Sequence, residues 1–141
     1  MKNDLLLLRP LARFGDHALL ILRLLTGFFL AWHMWFNISD GETMKAVVGY
    51  FESNGFAWPG FFAPLSAWAQ FIIGILLILG LFTRWAGLAL AFNFVVGVLM
   101  VHMSDTFREQ WPPLSLLVIG LVFATLGAGR FALDRRLETA T

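Results

Sequence analysis

The sequence predicts an all-α membrane protein: a bundle of four transmembrane helices, with an outer-side amphipathic segment between the first and second. Three observations predict it. Of 141 residues, 59% are apolar and 13% charged, whereas a soluble domain is roughly 45–50% apolar and about 25% charged. Mean hydropathy is +0.76. The apolar residues also gather into four runs near the ~20 residues that a bilayer core requires, too long for barrel strands, which alternate over about ten. A soluble chain of this size would still expose about a third of its unfolded surface, so lipid is the solvent for most of it.

The same arithmetic excludes other classes. Disorder is marked by low hydrophobicity and high charge, and neither is present. A net charge of +1 gives no field for nucleic acid. With no cysteine, the chain has no thiol–disulfide chemistry of its own and no iron–sulfur ligation. Residues 1–141 read as one domain, and no internal repeat is evident.

The four spans are His17–Phe36, Phe61–Phe82, Trp85–Met103 and Pro113–Ala128. The last is the shortest, and the Pro112–Pro113 pair suits a helix start. Met1–Asp16 is polar and basic, with no small-residue cleavage site after the first run, so the first helix is expected to remain as a signal anchor. In the long connection Asn37–Gly60, Met44, Val47, Val48 and Phe51 recur at helical spacing. They make an apolar stripe on a short helix, either an anchor lying along the outer interface or a lid packed over the bundle. Asn54-Gly55 marks a turn, and Phe56, Trp58, Phe61 and Phe62 cluster as interfacial aromatics do. Gly120, Ala124 and Ala128 give the fourth helix a small-residue face for close packing.

Polar residues inside the spans are the informative ones. Arg23 lies about 9 Å into the first span and either snorkels to the headgroups or faces the bundle. Arg23, Thr26, Gly27, Leu30, His33, Met34 and Asn37 fit within an arc of roughly 120°, which favours the bundle. Gln70 shares a face with Ser66, Gly74 and Leu77, and Asn93 lies mid-span in the third helix; both suit interhelical hydrogen bonds. His33 and His102 come from helices running the same way, about 24 and 27 Å from the inner edge. Matched depth suits a shared ligand, either a haem or metal site or a proton relay to a quinone; two ordinary interfacial histidines fit as well.

Three stretches resemble the DoxX family of small four-helix membrane proteins: LRLLTGFFLAWH with Arg23, Gly27 and His33; QFIIGILLILGLFTRWAG with Gly80, Thr83 and Arg84; and the closing GAGRFALD, Gly127–Asp134. The likeness runs from about Leu19 to Leu137. It departs at Met34 and Asn37, where the family commonly carries Gly and Lys, and at Gln70, where many members carry Glu. The resemblance implies a membrane subunit or partner of a quinone-linked redox complex, since a DoxX-like chain forms part of a thiosulfate:quinone oxidoreductase. Quinone is then the cofactor expected, ahead of haem. The expected ligand-binding residues are Arg23, His33, Gln70, Asn93 and His102, with His33 and His102 the metal candidates. The alternatives are a non-catalytic anchor or assembly partner for a redox or metal-handling complex, and a bis-histidine haem bundle. The lack of an intramembrane carboxylate favours the partner role, with a second protein or self-association completing the assembly.

Flanking Lys and Arg set orientation. Lys2, Arg9, Arg13, Arg84, Arg130, Arg135 and Arg136 fall on one side, and Lys45 and Arg108 on the other. Both termini are therefore expected in the cytoplasm, with the chain in the inner (plasma) membrane. Reporter fusions at Thr141 and Asn54 should give opposite sides, and a C-terminus outside the cytoplasm would overturn this orientation.

Overall fold

The computed structural model describes residues 8–139; Lys2 of the basic flank and the terminal Thr141 lie outside them. A 3-10 turn over Arg9–Phe14 leads into α1 (Gly15–Ser39). It is followed by α2 (Gly41–Ser53), α3 (Pro59–Leu79), α4 (Thr83–Val101), α5 (Phe107–Leu126) and a short α6 (Leu133–Glu138). Among the described residues there is no strand. α1, α3, α4 and α5 are long and apolar enough to cross a membrane, so the protein is a multi-pass membrane protein.

The helix limits follow from local chemistry. α3 stops at Gly80, whose φ of 65° ends the helix in the left-handed region that glycine tolerates. The fourth span begins earlier than expected, at Phe107 and not at Pro113. Thr106 and Glu109 form a capping box, with the Thr106 N–H donating to the Glu109 carboxylate at 3.0 Å, and this reciprocal cap fixes the start. Pro112 and Pro113 consequently sit inside α5, where each removes a helical N–H donor. The helix then ends at Leu126, before the positive-φ Gly127, not at Ala128.

α2 carries the stripe read from the sequence. Met44, Val47, Val48 and Phe51 are half-buried, and α2 packs against α1 and α3. Asp40 caps it, its carboxylate accepting from the Thr43 N–H at 3.0 Å and from the Thr43 hydroxyl. These bonds hold the Asp40 carboxyl below its usual range. At the far end, the Phe51 and Phe56 rings close the turn at 4.4 Å.

Packing centres on two glycine contacts. A Cβ on Gly27 would lie 2.7 Å from the Gly74 carbonyl oxygen, and one on Gly87 would lie 2.6 Å from that of Gly120. The backbones of α1 and α3, and of α4 and α5, therefore touch. Leu30, Ile73, Leu77, Ala86, Leu90 and Phe123 join all four spans in one buried cluster. The large side chains outside it, such as Phe28, Trp32, Trp85 and Phe92, are exposed and meet lipid.

The buried faces reveal a repeat. α1 buries Arg23, Thr26, Gly27, Leu30 and Ala31; α4 buries Thr83, Ala86, Gly87, Leu90 and Ala91. The five positions correspond one to one at a constant step along the chain. The protein is thus two similar helix pairs, each closed by a glycine contact. Overpacking a close contact costs roughly 1–3 kcal/mol. Gly27→Ala and Gly87→Ala should each lower thermal stability in detergent by about this amount, while Gly97→Ala, where a Cβ meets nothing within 4 Å, should leave it unchanged.

Candidate functional site

Arg23 is 2% exposed and faces the bundle, as its arc implied. Its Nη1 donates to the Ala128 carbonyl at 2.8 Å and its Nη2 to the Phe131 carbonyl at 2.6 Å. Both acceptors belong to the segment after α5, where Gly127 (φ 77°) and Gly129 (φ 72°) let the backbone turn its carbonyls inward. Gly80 makes room, because a Cβ there would lie 2.6 Å from Arg23 Nη1. The guanidinium is therefore a tether between the first helix and the end of the chain.

Asp134 completes the tether. Its carboxylate accepts from the Phe82 N–H at 2.6 Å and the Thr83 N–H at 2.8 Å, so it caps α4 from the far end of the sequence. Its own N–H donates to the Gly80 carbonyl at 2.9 Å. A carboxylate at a helix N-terminus satisfies orphan donors and complements the dipole. Arg84 acts similarly on α5, where Nη1 donates to the Ala124 carbonyl at 3.0 Å. The Arg130 N–H donates to Asp16 at 3.1 Å. These contacts at the arginine-rich end thus join segments that lie far apart in the sequence.

A second polar cluster lies in mid-membrane. Ser66 Oγ accepts from Gln70 Nε2 at 3.1 Å and from Asn93 Nδ2 at 3.0 Å, and its hydroxyl sits 3.5 Å from Asn93 Oδ1. The cluster connects α3 to α4, and all three residues are half-buried. Each amide directs one N–H at the serine, which leaves a second N–H on Gln70 and on Asn93.

The two outer histidines have different surroundings. His33 is exposed and its ring stacks on Phe29 with centroids 5.6 Å apart. His102 Nδ1 lies 2.6 Å from Asp105 Oδ2, and Gln110 Nε2 donates to the His102 carbonyl at 2.8 Å and the Asp105 carbonyl at 3.0 Å. No hydrogen bond or ring contact joins His33 to His102 among the described residues. Nor do those residues include three or more His, Cys, Asp or Glu placed to hold a metal ion. Tyr50 of α2 stands close enough to feel Asp105: burial raises the phenol above its ordinary value, and the Asp105 charge raises it further. Two partners were not singled out from the sequence: Asp105, which lies outside the spans, and Asp134, whose signal was the closing motif itself.

The sequence model of the DoxX family matches residues 18–103, from the first turn of α1 to just past the end of α4. The chain belongs to the DoxX family. No curated relative and no solved structure matches it. In this DoxX protein the matched stretch contains Arg23, Gly80 and Thr83, and their partners Ala128, Phe131 and Asp134 lie beyond it.

If the tether is as central as its geometry implies, its planar donor set matters and not only its charge. A lysine keeps the charge but has no fork with which to reach two carbonyls. Arg23→Lys should lower thermal stability measurably. Arg23→Ala should lower it further, by roughly 3 kcal/mol or more, since it leaves two inward carbonyls without donors. Unchanged melting of Arg23→Lys would show that charge alone suffices.

Proposed function

We propose that this DoxX protein is a membrane subunit of a quinone-linked redox complex, set in the plasma membrane with both termini in the cytoplasm. The observation that carries the reading is the Ser66–Gln70–Asn93 cluster. A quinone presents carbonyl acceptors on an apolar ring and tail, and mid-span amide donors among apolar side chains suit that chemistry. Gln70 and Asn93, held in place by Ser66, would donate to one carbonyl. The His102–Asp105 pair would exchange protons at the α2 end, with Asp105 fixing the histidine tautomer. Arg23, expected from the sequence among the ligand-binding residues, is assigned a tethering role in this reading, since its Nη1 and Nη2 donate to the Ala128 and Phe131 carbonyls.

The chain supplies no thiolate or iron–sulfur centre, so the electrons in this reading come from a partner protein. The second reading, a non-catalytic assembly partner, is favoured by one specific observation: the Arg23, Arg84 and Asp134 contacts are all internal and structural.

Solvent extraction of the purified full chain separates the two. Quinone should be retained above the level carried by the surrounding lipid, and Gln70→Leu or Asn93→Leu should each weaken retention about tenfold, the upper range for one hydrogen bond. Because both amides act through Ser66, the double variant should lose little more than either single one. Quinone at lipid background in the wild type would leave the assembly role standing.

A further inference from the structure

The arginine-rich end holds a cleft of about 640 Å³ that the tether frames but does not fill. Charges line it unequally. Arg84, Arg130 and Arg135 face Asp16 and Asp134. Both carboxylates are already engaged: Asp134 by the Phe82 and Thr83 N–H groups, and Asp16 by Arg130, whose Nε lies 3.7 Å from it. No carboxylate among the described residues pairs with Arg84 or Arg135. Arg84 gives Nη1 to the carbonyls at the end of α5, whose partial negative charge offsets the cation only in part.

A separate observation points to a ligand. Thr83 lines the cleft, is 0% exposed, and its Oγ1 has no hydrogen-bond partner. A buried hydroxyl left unpaired costs roughly 1–3 kcal/mol, so its persistence calls for an acceptor. The rim supplies the remaining character. Phe82, Trp85, Leu126 and Leu137 border the cleft and are all exposed apolar side chains, at the membrane level where aromatic residues meet headgroups.

We propose that this cleft binds the headgroup of an anionic phospholipid. The phosphate lies between Arg84 and Arg135 and accepts the Thr83 hydroxyl once that side chain, closed off from solvent in this structure, turns toward it, while the acyl chains run along Trp85 and Leu126. A free phosphate shares the anionic chemistry but leaves the apolar rim uncovered, which is why a lipid is the occupant. The site is at the opposite end of α4 from His102 and is independent of the quinone reading.

The test uses the purified full chain, with bound lipid counted by native mass spectrometry and melting followed in detergent. Phosphatidylglycerol should be retained and should raise the melting temperature; phosphatidylcholine and inorganic phosphate should do neither. Arg135→Gln removes an exposed side chain outside the tether and should weaken phosphatidylglycerol binding about fivefold, the effect of one basic residue near a charged surface. Thr83→Val should give two opposite signs. Without lipid the variant should melt no lower than wild type, since an unpaired hydroxyl has gone, yet it should bind phosphatidylglycerol more weakly. Equal stabilisation by phosphatidylcholine, or an effect of inorganic phosphate matching that of the lipid, would overturn the proposal. So would Arg135→Gln and Thr83→Val binding as tightly as wild type.

Discussion

Where Gly27 meets Gly74 and Gly87 meets Gly120, neighbouring helices touch backbone to backbone, closer than any side chain would permit. In lipid this closeness does the work that hydrophobic burial does in water. Apolar side chains gain little by leaving acyl chains for one another, so association rests on packing and on polar contacts between helices. The close approach brings Leu30, Leu77, Leu90 and Phe123 into one core. It also sets α1 and α3 near enough for the Arg23 guanidinium to reach past Gly80 to the closing segment. The Ser66 cluster is the corresponding polar contact between the two pairs, bridging α3 and α4.

Polar groups in this protein divide by place. At the arginine-rich end they are structural: Arg23, Arg84 and Asp134 each satisfy the orphan N–H or carbonyl groups of a neighbouring segment, which would otherwise lie unpaired near the membrane. In mid-span and at the α2 end, Gln70, Asn93 and His102 retain hydrogen-bonding capacity beyond what the fold uses. In the quinone reading, that ligand belongs with the second group.

Much of this was legible in the residues, for identifiable reasons. The α2 stripe and the four spans follow from periodicity and length, which lipid and interface impose directly. Arg23 was readable as bundle-facing because the polar residues of α1 share one arc. His33 lies about 80° from Arg23 around the helix, at the edge of that arc, and the structure turns it outward onto Phe29. Matched depth fixed its height and that of His102 but not their directions. The proline pair suggested a start for α5 that the Thr106–Glu109 cap overrides, although Thr-x-x-Glu was present as a signal. The repeat was hidden because only the buried face repeats: Gly27, Leu30 and Ala31 recur as Gly87, Leu90 and Ala91, while their lipid-facing neighbours diverge. Asp134 needed the fold, since nothing local connects it to the start of α4.

The reach of Arg23 also bears on how the protein is made. Its acceptors at Ala128 and Phe131 stand 105 and 108 residues further along the chain, so the ribosome delivers the guanidinium long before anything exists to receive it. During synthesis the first helix carries an unsatisfied cation, and its long stem can hold that charge at the membrane surface. Only when the last span has inserted and its closing loop has emerged does the arginine have a place to go. Assembly therefore joins an early-made helix to a segment made much later, and a nascent protein that stalls before α5 keeps an arginine at the interface as the mark of being unfinished.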